Sequence, residues 1–284
     1  MTAAAEATSS YADLRRAVIA AGLLDRAYGY YLWRTSLSFA ILVFGLALPF
    51  TLEPSPTTLV AAALTIAFGS VQVALIGHDA GHLAVFVSRR ANAALGSLCW
   101  SLSLGISFWY WHDRHTRHHT CTNDARDDPD LQWAGLVAYS DVIAGTRPRR
   151  AAWLTRNQAI LGPLYTLFLP FAFRFEGWQF TLRQLHGRRR DNEVALLVLS
   201  TAAWLAPTVN LGWWWLTVFI VSQTLAGLYL ALSIAPNHKG MPIWPAGTEL
   251  SFVERQVLSS RNITPSRLAD FVFGGLNYQI EHHL

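Results

Sequence analysis

Ten histidines are the residues of this 284-residue chain best suited to chemistry, and nine fall in four places: His78 and His82; His112, His115, His118 and His119; His238; and His282 and His283. In GHDAGH the two imidazoles lie four residues apart, so on a helix they point the same way about one turn apart. In WHDRHTRHH, His115, His118 and His119 stand at i, i+3 and i+4, again on one helical face, and QIEHHL repeats that geometry with Gln279 in the first position. Adjacent helical residues diverge by about 100°, so a pair such as His118 and His119 suits two metal ions better than one. Three such clusters imply a dinuclear site. Imidazole serves iron, copper, zinc and nickel alike, so the ligands alone do not name the metal. Zinc proteases of the HExxH kind need Glu beside the first His as general base; Asp79 stands there instead, which disfavours a hydrolase. Seven or more neutral ligands around two ions fit a redox metal that oxidises an inert C–H bond while the protein supplies position and excludes water. No catalytic residue beyond the metal ligands is indicated. Asp79, Asp113, Asn123 and Glu281 are candidates to orient imidazole N–H groups from outside. His112 lies off the His115/His119 face and reads equally as an outer residue or a ligand, and His186, in LHGRRR, reads as a surface residue.

These side chains need elements that gather them on one side of something. Four stretches are long and apolar enough to cross a bilayer core of about 30 Å, which takes roughly 20 helical residues. They run from Thr35 to Leu52, Thr57 to Gly77, Val194 to Asn210 and Trp213 to Ala235. Only a few residues separate the first from the second and the third from the fourth, so the spans form two helical hairpins. Pro54 and Pro56 punctuate one turn, Asn210 and Gly212 the other. All 22 Lys and Arg lie outside both short turns, which predicts that both termini and the long central segment are cytoplasmic. That topology, derived without histidine, places all nine histidines on the cytoplasmic side. The apolar runs Ala91 to Trp109 and Ala159 to Phe173 read as interfacial or re-entrant helices capping that face.

Composition agrees. The chain is 52% hydrophobic and 14% charged, whereas soluble domains carry about a quarter charged residues; lipid is the expected solvent for much of the surface. The formal charge of +4 is scattered beside apolar spans, as suits contact with anionic lipid rather than nucleic acid. Two cysteines are too few for an iron–sulfur cluster or a disulfide framework. Residues 1–30 lack the apolar core of a signal peptide and read as a cytoplasmic tail leading into an interfacial helix. The expected fold is therefore all-α: one integral membrane domain over 1–284, with four transmembrane helices in two hairpins and a cytoplasmic helical cap holding a di-metal site.

At the histidines the sequence also resembles a known family. GHDAGH, the run W111-x3-H115-x2-H118-H119-x3-N123, APNHKGMP around His238, and GGLNYQIEHHL at the end together resemble the three-histidine-box membrane fatty-acid desaturases. The likeness is greatest to the acyl-lipid and front-end group, whose third box begins with Gln. The resemblance implies a di-iron centre, O2 as co-substrate, and oxidation of a fatty acyl chain to an alkene. By motif, the two irons would be held by His78, His82, His115, His118, His119, His282 and His283, with His238 as the extra histidine after the fourth span. Asn237 would hold a metal-bound water, with Gln279 among the outer residues. The acyl group would ride on a lipid, on CoA or on acyl carrier protein. No HPGG motif of a fused cytochrome b5 domain is present, so electrons are expected from a separate ferredoxin-like or cytochrome b5-like carrier, steered by Arg147, Arg149, Arg150 and Arg188 to Arg190; the last three also suit lipid headgroups. Family members run on past QIEHHL, so a C-terminal truncation or a frayed last helix is expected at Leu284. A hydroxylase or ketolase of a lipid, alkane or carotenoid shares the same chemistry. A metal transporter would carry ionisable residues near mid-membrane, and the four apolar stretches contain no His, Asp or Glu.

Overall fold

A computed structural model describes residues 3–131, 138, 144–145 and 152–284. Among these residues the chain is helical, apart from one isolated bridge between Asp124 and Trp244. The helices that matter to the site are α1 (Ala3–Ala20), α2 (Tyr28–Thr51), α3 (Pro56–Gly81), α4 (Arg89–Gly96), α5 (Phe108–Thr120), α6 (Leu169–Gln184), α7 (Gly187–Leu205), α8 (Trp213–His238), α9 (Phe252–Ser259), α10 (Arg267–Val272) and α11 (Gln279–His283).

Four helical stretches are long and apolar enough to cross a membrane: Tyr28–Thr51, Pro56–Gly81, Gly187–Leu211 and Trp213–His238. They are the four read from the sequence, each extended. An apolar run marks where lipid ends, whereas a helix continues as long as its backbone groups find partners. Thus α3 runs on to carry His78 and Asp79, α8 ends on His238, and α7 starts early enough to include Arg188 to Arg190 and Glu193. The Ala91 to Trp109 run is not one straight helix. Arg89–Ser103 and Phe108–Thr120 are bent by 115° at the break between them, and counting that pair as one span would make five. Gly105, at φ +70°, supplies the left-handed backbone of the break. The Ala159 to Phe173 run is divided between Gln158–Thr166 and α6.

The chain forms two compact units, each assembled from separated segments. One comprises Arg26–Asp113 and Pro163–Leu232, the other Met1–Asp25, Arg114–Gly162 and Ser233–Leu284. In the first, Ser55 caps α3 by accepting the Thr58 N–H, with Pro56 in the first turn. Its α2 and α3 meet through glycines: a Cβ on Gly69 would stand 2.7 Å from the Leu42 backbone, and one on Gly45 2.8 Å from the Ile66 nitrogen. The start of α5 is also secured within this unit. Glu193, 1% exposed, accepts from Ser101 Oγ at 2.7 Å and from the Phe108 N–H at 2.9 Å. The Tyr110 hydroxyl donates to Glu176, and the Arg189 guanidinium lies 4.3 Å over the Trp109 ring.

The second unit has a different interior. Among its described residues the buried apolar side chains are Pro129, Leu131, Ala138 and Leu276, whereas Thr122, Asp128, Asn237, Gln256, Ser259 and Asn277 are all fully enclosed. Its centre is built of polar groups, many of them hydrogen-bonded to one another. Helix α9 opens with a capping box between Ser251 and Glu254.

Candidate metal centre

Six of the histidines singled out above belong to the polar unit. His115, His118 and His119 lie on the second half of α5, His238 is the last residue of α8, and His282 and His283 close α11. The structure brings their rings together. His118, His238 and His283 offer nitrogens within 4.8 Å of one another, and so do His119, His282 and His283, with His283 common to both groups.

Hydrogen bonds behind the rings decide which nitrogen faces inward. His118 Nδ1 lies 3.0 and 3.1 Å from the two oxygens of Asp128. That carboxylate also accepts the N–H groups of Asn123 and Asp130, both at 2.8 Å, so it acts as an acceptor throughout and Nδ1 must carry the proton. His238 Nδ1 faces the Ser259 carbonyl at 2.9 Å, and a carbonyl can only accept. His283 Nδ1 faces Gln256 Oε1 at 2.8 Å; the amide is oriented because its Nε2 donates to the His119 carbonyl at 2.8 Å. All three rings therefore turn a lone pair on Nε2 toward the cluster. Burial works against charge on His118, but Asp128 and Asp130 outweigh it and raise its pKa above the ordinary histidine value. That makes its Nε2 a better electron-pair donor.

The spacing suits a cation. His118 Nε2 and His238 Nε2 are 3.4 Å apart, and two acceptors facing each other at that distance repel unless a positive centre lies between them. His119 Nε2 lies 3.1 Å from His115 Nε2 and 3.1 Å from His282 Nε2. Around one ion with metal–nitrogen bonds of about 2.1 Å, neighbouring ligand nitrogens lie about 3.0 Å apart at right angles and about 3.4 Å at tetrahedral angles. The donor set thus fits transition-metal ions, in two adjoining groups of imidazole nitrogens.

The outer candidates sort by what they touch. Gln279 Nε2 is 2.9 Å from His238 Nε2, and its Oε1 accepts from Asn237 Nδ2 at 2.9 Å. Asn237, which also donates to the Ser233 and Leu276 carbonyls, reaches His238 through Gln279. Asn123, left-handed at φ +56°, donates its side-chain amide to the Pro242 carbonyl at 2.9 Å and supports Asp128 through its backbone. Glu281 is exposed and accepts from Asn262 at 2.7 Å, tying α11 to the preceding loop rather than touching an imidazole.

His78 and His82 belong to the other unit, on and just after α3, with ring centroids 4.7 Å apart. His78 Nδ1 is 3.2 Å from Asp79 Oδ1, and the other Asp79 oxygen accepts from the Tyr31 hydroxyl at 3.2 Å. The His78 ring lies 5.4 Å from that of Trp111. His112 is half-buried in the same unit; burial lowers its pKa, Arg189 adds to the lowering and Asp113 opposes it. His186 is exposed at the N-cap of α7, and Arg188 to Arg190 are exposed in its first turn. Arg147, Arg149 and Arg150 lie outside the described residues.

Asp128, Gln256 and the Ser259 carbonyl were not legible as site residues in the sequence. Asp128 stands among Asp124, Asp127 and Asp130, and only its place within ten residues of the histidine triplet hinted at a role. Gln256 is a lone amide on a short helix and carries no signal at all.

Comparison with known proteins points the same way. Residues 54–284 match the family model described as fatty acid desaturase. The chain is 28% identical to an acyl-lipid (8-3)-desaturase of Rebecca salina, across 73% of this chain and 49% of that one. It is 26% identical to a Delta(6)-fatty-acid desaturase of Caenorhabditis elegans, across 97% and 64% respectively. It is 27% identical to a Delta(8)-fatty-acid desaturase of Euglena gracilis, across 98% and 68%. The chain spans about half to two thirds of the length of these relatives.

Proposed function

Because the chain belongs to the fatty acid desaturase family, we propose that it is a multi-pass membrane oxidoreductase that uses O2 and a histidine-ligated di-iron centre to place a carbon–carbon double bond in a fatty acyl chain. The observation that carries this reading is the pair of adjoining nitrogen groups, in which His118, His238 and His283 have their Nδ1 protons committed and their Nε2 lone pairs turned inward. His119 and His282, with His283 again in reach, supply the second group, and His115 Nε2 lies 3.1 Å from His119 Nε2 beside it. His78 and His82 join the ligand set on the strength of the GHDAGH motif and the family match.

Bound iron would supply the O2-dependent oxidation of an unactivated C–H bond. The chain's own residues have simpler tasks. Asp128, the Ser259 carbonyl and Gln256 hold three imidazoles in the metal-binding tautomer, and Asn237 holds the Gln279 amide, whose N–H faces His238 Nε2 and would have to turn aside for a metal to bind there. Forming an alkene while O2 is reduced to water takes four electrons. Two come from the substrate, so two come from outside, and the proposed source is a ferredoxin-like or cytochrome b5-like carrier. The positive charge lies outside both hairpin turns, which supports a cytoplasmic site with both termini on the same side. The substrate is a fatty acyl group on a lipid, CoA or acyl carrier protein.

The test is the fatty-acid profile of a host expressing the complete chain or its His118→Ala variant, with and without O2. A new unsaturated acid, present with the native chain in air and absent with the variant, is the expected result. A hydroxylated product, or an unchanged profile when carrier and reductase are supplied, would overturn desaturation.

A further inference from the structure

We infer that Gln256 is a positioning residue: its amide fixes the tautomer of His283 and couples α11 to the end of α5. The inference rests on the di-metal reading above. Gln256 lies on α9, is fully enclosed, and uses both ends of its amide. Nε2 donates to the His119 carbonyl at 2.8 Å. Oε1 accepts from His283 Nδ1 at 2.8 Å and from the Thr122 hydroxyl at 2.9 Å.

His119 is the penultimate residue of α5, so its carbonyl is one of the last four, which the helix itself cannot satisfy. A carbonyl of that kind, half-buried here, needs a donor from elsewhere, and Gln256 provides it. Once the amide nitrogen is committed there, the oxygen must face His283, and only a protonated Nδ1 is compatible with it. The lone pair of His283 is thereby confined to Nε2. Its ring lies within reach of both nitrogen groups, so a proton transferred to Nε2 would remove the one lone pair it can offer to either. No other side chain of this size does the same work. A carboxylate keeps the acceptor for His283 but, when ionised, sets an oxygen against the His119 carbonyl, whereas an aliphatic side chain abandons both bonds.

Two variants of the full chain separate the roles. Gln256→Leu removes donor and acceptor; Gln256→Glu is isosteric and keeps the acceptor for His283. The probe is Co(II), whose visible absorption reports ligand number and geometry, titrated in competition with a chelator, alongside iron per chain. Losing an outer partner of a metal-bound histidine typically weakens binding by about 10–100-fold, so that loss and a changed spectrum are expected for Gln256→Leu, with Gln256→Glu within a few-fold of the native chain. If the leucine variant binds Co(II) as the native chain does, the inference fails while the di-metal reading stands. If both variants are equally impaired, the bond to the His119 carbonyl is what matters and the tautomer assignment fails. Should the leucine variant not fold, the glutamate variant decides: native-like binding supports the inference, and a tenfold loss overturns it. A native chain that binds neither Co(II) nor iron sinks the di-metal reading and this inference with it.

Discussion

Replacing Asp128 with Asn tests the tautomer argument at the histidine whose partner is a carboxylate. Asp128 is fully enclosed and receives four contacts: His118 Nδ1 at 3.0 and 3.1 Å, and the N–H groups of Asn123 and Asp130 at 2.8 Å. Each backbone N–H addresses a different oxygen, so an amide must turn its NH2 toward one of them whichever way it rotates. One buried donor then loses its acceptor, at about 1–3 kcal/mol of fold stability. The site should suffer separately, since His118 loses the negative charge that strengthens Nε2. Outer-partner losses of this kind cost about 10–100-fold in metal affinity, which is about 1.4–2.7 kcal/mol. The assay is retention of iron by purified variants across a chelator series, with melting temperature followed in parallel. Asp127→Asn is the control, because that residue is exposed and its carboxylate pairs with Arg126 at the surface, where such pairs contribute little. Metal retention equal to the native chain in Asp128→Asn, or an equal loss in Asp127→Asn, would refute the reasoning.

Replacing His115, His118 or His119 singly with Ala should abolish product while leaving membrane insertion intact, and His186→Ala should stay active; product analysis on isolated membranes checks both, and equal loss in all four would mean that ligand and surface histidines have been confused. Gly69→Ala should lower the melting temperature in detergent, because the new Cβ would stand 2.7 Å from the Leu42 backbone and overpacking typically costs about 1–3 kcal/mol; unchanged melting would show that α2 and α3 are free to part. Reporters fused at Pro54 to Pro56 and at Leu211 should lie on one side of the membrane and both termini on the other, and a cytoplasmic signal from either turn would sink the two-hairpin topology. Turnover with NAD(P)H should require added carrier and reductase and should weaken with salt, since long-range attraction between charged partners is screened; full activity without any carrier would count against a separate electron carrier.

The fold was legible where one physical signal dominates. Uninterrupted apolar runs bounded by Pro54, Pro56, Asn210 and Gly212 announce helices and their turns, because lipid admits no unsatisfied backbone. The spacing of His115, His118 and His119 announces a helix with one chemical face, and α5 supplies it. Helix ends were less legible: Glu193 lies just outside the apolar run of the third span, yet it is enclosed and caps α5 through bonds to Ser101 and Phe108. The partners of the imidazoles were the least legible. Asp128 lies ten residues from His118 and Gln256 twenty-seven from His283, and no local periodicity distinguishes an inward carboxylate or amide from one that faces water. Glu281 shows the converse, since adjacency to His282 suggested contact while the turn of α11 directs it to Asn262.

The polar interior of the unit that holds six of the histidines changes what iron supply means for this chain. Hydrogen bonds contribute about 1 kcal/mol each in net terms, and Pro129, Leu131, Ala138 and Leu276 are its buried apolar side chains among the described residues. On the proposed ligation, metal binding energy becomes folding energy for this unit, whereas the spanning helices keep their apolar packing without it. Iron starvation should therefore loosen the histidine-bearing unit first and leave the hairpins inserted. The apoprotein would then offer proteases an open segment tethered to an intact membrane anchor, and enzyme abundance would follow iron supply without a separate sensor.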